Sequence, residues 1–113
     1  MFVPEVMLKL STPYTVIIVG IESHICVTQT TLDLLAHGHK VYILSDAVSS
    51  CNKEEVPIAL NRLAREGAVV TTSESVLFEI MGDAKIDEFK AISGIVKEQK
   101  EATKAAVQTL CRI

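Results

Sequence analysis

The chain has 113 residues, 49% of them hydrophobic, and a formal charge of −3 from 14 acidic and 11 basic side chains. That supports one small domain; with no basic stripe and only 4% aromatic residues, it argues against a nucleic-acid surface, which wants clustered Lys and Arg, often with stacking rings. The longest apolar runs are about six residues against the roughly 20 that a membrane helix requires, so neither a nucleic acid nor a membrane is expected as a partner.

No charged stretch followed by an apolar one opens the chain, so no secretory leader is read there. Residues 2–10 are predicted as a short helix with Pro4 in its first turn, where a missing N–H does no harm. Val3, Val6, Met7 and Leu10 share one face; Lys9 lies off it and reads as a solvated lysine. Ser11-Thr12-Pro13 breaks that helix. Residues 14–20 form the first strand, whose β-branched run Val16-Ile17-Ile18-Val19 reads as buried on both faces.

Cys26 follows at the start of the next predicted helix, residues 28–36. A thiol at the end of a buried strand and the start of a helix lies where ligands bind in open α/β sheets. The helix's free N–H groups and positive end favour a thiolate. The competing structural reading is a buried, inert cysteine. Leu32 and Leu35 are candidate core residues, and Gly38 is placed to end the helix. His37 and His39, flanking it, suit the negative end of the helix dipole.

Residues 40–44 form a second strand, followed by a polar turn over 45–51. Asn52 and Glu55 have the spacing of an N-cap and its partner, opening a helix that carries Val56, Ile58, Leu60, Leu63 and Ala64 to Gly67. Residues 68–72 are the third strand. Ser73 caps a short helix over 74–81, closed by Gly82, and residues 83–98 form another. Residues 97–113 are a charged, Ala- and Lys-rich tail, read as a weak amphipathic helix or a frayed end. Strands alternating with helices at this spacing predict βαβ units and a parallel sheet with helices on its faces.

Gly20-Ile21-Glu22-Ser23-His24-Ile25-Cys26-Val27, then Gln29-Thr30-Thr31-Leu32-Asp33-Leu34-Leu35, Gly38 and Ser45-Asp46-Ala47-Val48-Ser49-Ser50, resemble the isochorismatase-like (cysteine hydrolase) superfamily. GAVVTTSES at 67–75 and Phe89-Lys90 resemble its isochorismatase domain-containing branch. The resemblance implies a Rossmann-like three-layer α/β/α sandwich with a parallel sheet, here truncated to about three strands. Residues 1–96 would be a partial isochorismatase-like domain and 97–113 its tail.

The family's hydrolases use an Asp, a Lys and a Cys. Cys26 matches the cysteine, and the family's Asp and Lys would precede residue 1. Neither Asp33 nor Asp46 matches that Asp. The resemblance further implies an oxyanion hole from the amides of Glu22 and Cys26, and a cis peptide between Ile21 and Glu22. Ser23, His24 and Asp46 would sit at the pocket edge, with Ser49 and Ser50 as turn residues beside it. The implied function is a cysteine hydrolase acting on a small-molecule amide, carbonyl or vinyl ether, impaired by the two missing residues.

His24 lies two residues before Cys26, but His-x-Cys is not a metal spacing of any strength, so it reads as a rim or loop-packing residue. No metal or other cofactor is expected. Cys51 and Cys111 read as incidental, and three widely spaced cysteines predict a reducing, intracellular setting. Cytoplasm is the default, with mitochondrion and peroxisome open. The alternative function is a non-catalytic interaction module. It would form a homo-oligomer, or pair with a relative, through the unpaired edge of the strand between Tyr14 and Gly20.

Overall fold

The computed structural model describes residues 13–111; the helix predicted over 2–10, with Lys9, lies outside them. Three strands, β1 (Thr15–Ile21), β2 (Lys40–Ser49) and β3 (Val69–Thr71), form a parallel sheet in the order β1-β2-β3. Five helices accompany it among the described residues: α1 (Thr28–Ala36), α2 (Glu55–Arg65), α3 (Ser73–Met81), α4 (Phe89–Glu98) and α5 (Lys100–Leu110). α1 joins β1 to β2 and α2 joins β2 to β3, the expected βαβ arrangement.

One face of the sheet carries the main core. Val41, Ile43 and Val48 of β2 pack against Leu34 of α1 and Val56, Leu60 and Leu63 of α2. In α2 the buried positions Val56, Ala59, Leu60 and Leu63 recur at helical spacing, which is the stripe an amphipathic helix turns to a core. On the other face Tyr42 and Leu44 meet Val76 of α3, and the Tyr42 hydroxyl donates to Glu79. Gly67, at φ +111, ends the turn after α2 in a conformation that L side chains rarely adopt.

Several sequence expectations need correction. β1 is not buried on both faces: Val16 and Ile18 pack on the core, while Ile17, Val19 and Ile21 are 42, 56 and 65% exposed. Alternate strand residues point to opposite faces, and α3 covers β2 on the second face but leaves these β1 side chains open. β2 does not stop at Leu44. It continues to Ser49, pairing Val48 with Gly20 and Ser49 with Ile21 after a bulge.

α2 starts at Glu55 rather than at an Asn52 cap. The Asn52 side chain accepts from the Glu54 N–H at 3.3 Å, making a turn ahead of the helix. α3 is capped by Thr72, whose hydroxyl accepts from the Ser75 N–H. α4 begins only at Phe89, and the tail beyond it holds the ordered helix α5.

Leu60 is fully buried and Ile58, two positions earlier on the same helix, is 65% exposed. Leu60→Ala is therefore expected to lower unfolding free energy by about 2–5 kcal/mol, and Ile58→Ala by less than about 0.5 kcal/mol. Urea unfolding of both variants checks this; equal losses would mean that α2 presents a different face to the sheet.

Candidate functional site

The carboxyl ends of β1 and β2 lie side by side, and the chain leaving β1 turns sharply there. Gly20, at φ +123, sits in the bulged register, and the next peptide bond but one, Ile21–Glu22, is cis. Residues Ser23–Val27 then make one π-helical turn, with the N–H groups of Ile25 and Val27 both donating to the Glu22 carbonyl at 3.1 Å. π turns of this kind are rare and concentrate at functional sites. Cys26 occupies this turn as a free, half-buried thiol, two residues before α1 begins.

Three consecutive residues of the turn are tied to three consecutive residues at the end of β2. The Glu22 carboxylate accepts the Cys51 N–H at 2.7 Å. The Ser23 hydroxyl, fully buried, donates to the Ser49 carbonyl at 2.9 Å. His24 Nδ1 and the Ser50 hydroxyl are 3.0 Å apart. From the other side the Thr28 hydroxyl donates to the Ser23 carbonyl at 2.7 Å, locking the turn to the first residue of α1. The Cys51 N–H holds the Glu22 carboxyl below its ordinary value. Partial burial opposes that shift, and hydrogen bonds from Ser50 and Cys51 together with the nearby His24 add to it.

The site residues expected from the sequence are therefore only partly gathered. Ile21, Glu22, Ser23, His24 and Cys26 share one turn. Asp46 serves another element: its carboxylate accepts the Ser73 N–H at 2.9 Å and the Ser73 hydroxyl, anchoring the start of α3. Ser23 is an internal strut rather than a pocket rim. Cys51, read as incidental, supplies the N–H that Glu22 grips, a backbone role that its side-chain identity does not announce. The Cys111 thiol lies 3.1 Å from the Ser45 hydroxyl.

His37 Nδ1 lies 2.7 Å from the Asp33 carbonyl, in keeping with a helix-end role. His39 is buried and its Nδ1 accepts the Tyr14 N–H, fastening the start of β1. Among the described residues no cluster of three or more His, Cys, Asp or Glu could hold a metal ion. No helix among them is long and apolar enough to cross a membrane.

Residues 5–75 match the isochorismatase domain model. Isochorismatase family protein 1B of Dictyostelium discoideum is 47% identical over 87 residues, covering 77% of this chain and 42% of that protein. The secreted isochorismatase effector Isc1 of Phytophthora sojae is 45% identical over 102 residues, covering 87% of this chain and 49% of its own length.

Among solved structures, the MAR1 ribonuclease of Caenorhabditis elegans superposes with a TM-score of 0.79 at 36% identity, over 85% of this chain and 50% of that one. An isochorismatase-like hydrolase from Alkaliphilus metalliredigens gives 0.55 at 31% identity, over 66% and 41%. The chain thus spans half or less of the length of each of these relatives.

The grip of Glu22 on Cys51 predicts a pH dependence of definite sign. A carboxyl whose folded value is lowered stabilises the fold above its ordinary range, and that contribution is lost as pH falls through the lowered value. The protection of the Cys51 amide against hydrogen exchange, measured relative to the unfolded chain at the same pH, is expected to fall on acidification below the ordinary glutamate range, and Glu22→Gln is expected to remove the pH step. A step that persists in the variant would assign it to another group.

Proposed function

The chain belongs to the isochorismatase family, and from that premise we propose that it carries the nucleophile half of a cysteine hydrolase site, with Cys26 as the nucleophile. Cys26 gives its thiol proton to water, and its Sγ attacks a carbonyl carbon, forming a C–S bond while the carbonyl π electrons move to oxygen. The amides of Glu22 and Cys26 hold that oxyanion. Its collapse expels the leaving group, which takes up a proton, and water then hydrolyses the thioester to regenerate the thiol. The substrate class for these steps is a small-molecule amide or similar carbonyl compound; a vinyl ether, also implied by the resemblance, has no carbonyl and does not pass through the thioester.

The observation that carries this reading is the triple tie of Glu22, Ser23 and His24 to residues 49–51, which holds a cysteine-bearing turn at the sheet's carboxyl edge. The resemblance places the family's Asp and Lys ahead of the residues matched here. Without a positioned base a rate loss of about 10²–10⁴ follows, so turnover by these 113 residues alone is slow.

One solved relative is described as a ribonuclease, but a charge of −3 without a basic stripe favours a small molecule over RNA for this chain. Three free cysteines favour a reducing, intracellular setting. The interaction-module alternative draws on the exposed side chains of Ile17, Val19 and Ile21. It leaves the bonded turn around Cys26 without a purpose, and the hydrolase reading is preferred.

An activated ester tests the proposal. With p-nitrophenyl acetate, one equivalent of p-nitrophenolate should be released as the acetyl group moves to Cys26 Sγ, followed by slow hydrolysis of the thioester. Peptide mass mapping should find the acetyl group on Cys26, and Cys26→Ser should abolish the release. Acetylation confined to Cys51, Cys111 or lysines would overturn the assignment.

A further inference from the structure

A cavity of about 390 Å³ lies between the end of β2, the start of α2 and the end of α5. Small-molecule pockets commonly run from about 300 to 1,000 Å³. One wall is formed by Ser49 and Ser50, the residues whose carbonyl and hydroxyl hold Ser23 and His24 beside Cys26. Val56 and Pro57 add apolar surface, and Thr109 and Leu110 of α5 close the far side. α5 reaches this position because it packs along β2, and because Cys111, the residue after it, meets Ser45. The helix lies beyond the residues 5–75 that match the family model.

The lining chemistry limits the ligand. Lys53 and Glu54 are both exposed and opposite in sign, so the cavity has no net charge to offer. Nor does the start of α2 supply an anion site. The N–H groups of Glu55 and Val56 are taken up by the carbonyls of Asn52 and Lys53 at 3.1 and 3.2 Å, and Pro57 has none to give. The hydroxyls of Ser49 and Thr109 both donate and accept, against the apolar surfaces of Val56, Pro57 and Leu110.

We propose that this cavity binds a compact, uncharged molecule with an apolar body and one hydrogen-bonding group, and that Thr109 and Leu110 make α5 the wall that sets its size. The connection to catalysis, through Ser49 and Ser50, rests on the hydrolase reading; the binding itself does not.

The probe is 2-naphthylmethanol, with 2-naphthoate and 2-naphthylmethylamine as charged analogues of the same body, titrated into the isotope-labelled full chain. Amide shifts should move at residues 49–56 and 109–111 with the alcohol, and much less with either charged analogue. Leu110→Trp, which fills the cavity, should weaken binding by at least about tenfold while the shifts of β1 and α1, away from the cavity, stay in place. Thr109→Trp, at an exposed position, gives the same reading if Leu110→Trp fails to fold.

Cys26→Ser should bind the alcohol as the parent chain does, so loss of thiol chemistry and loss of binding are scored separately. Shifts centred elsewhere, equal binding of the charged analogues, or unchanged affinity in the tryptophan variants would overturn the proposal.

Discussion

The structure around Cys26 depends on one constraint: the turn that leaves β1 is sewn to the end of β2 by three bonds from consecutive residues. A single π-helical turn carries few bonds of its own, here those from the Ile25 and Val27 N–H groups to the Glu22 carbonyl. Residues 49–51 add the ties that fix it to the sheet. The middle bond, from buried Ser23, is sequestered from water, where losing a partner costs a full desolvation penalty of about 1–3 kcal/mol. The two flanking bonds are more exposed and serve mainly to set orientation. Cys26 is thus placed by bonds that its neighbours make.

The same arrangement explains why β2 runs five residues past its predicted end. Polar residues such as Ser45 and Asp46 read as a turn, since serine and aspartate usually compete with ladder bonds. Here that competition is put to use. Between Ile18 and Gly20 the pairing partner on β2 jumps from Ile43 to Val48, and the extra residues bulge out. Asp46, on the bulge, turns its carboxylate to Ser73 and starts α3, while Val48 returns to the core. One irregularity joins the Cys26 turn to the helix on the opposite face.

Much of this was legible in the sequence. α1 lies at residues 28–36 as read, Gly38, Gly67 and Gly82 all take positive φ at helix ends, and the parallel βαβ order and the position of Cys26 follow from pattern and motif. What escaped was non-local. The Glu22–Cys51 bond joins residues 29 apart through a backbone N–H, which no side-chain identity encodes. The exposure of Ile17, Val19 and Ile21 contradicts their hydrophobicity because burial depends on what lies over a strand. Of the two readings of the tail, a weak amphipathic helix or a frayed end, the helix forms as α5; composition left its packing against β2 open, since tertiary contact rather than propensity decides the fate of short helices.

Differential thiol labelling tests most directly whether the fold makes Cys26 a working nucleophile. The chain would be treated with a limiting electrophile in native buffer and in urea, and the three cysteines quantified by peptide mass mapping. Cys51 is exposed, whereas Cys26 and Cys111 are half-buried, so access alone ranks Cys51 first. If the folded turn activates the thiol, native Cys26 outpaces Cys51 despite its lower exposure, and urea erases the advantage. A native order that simply follows exposure would contradict it, leaving the turn as architecture without chemistry.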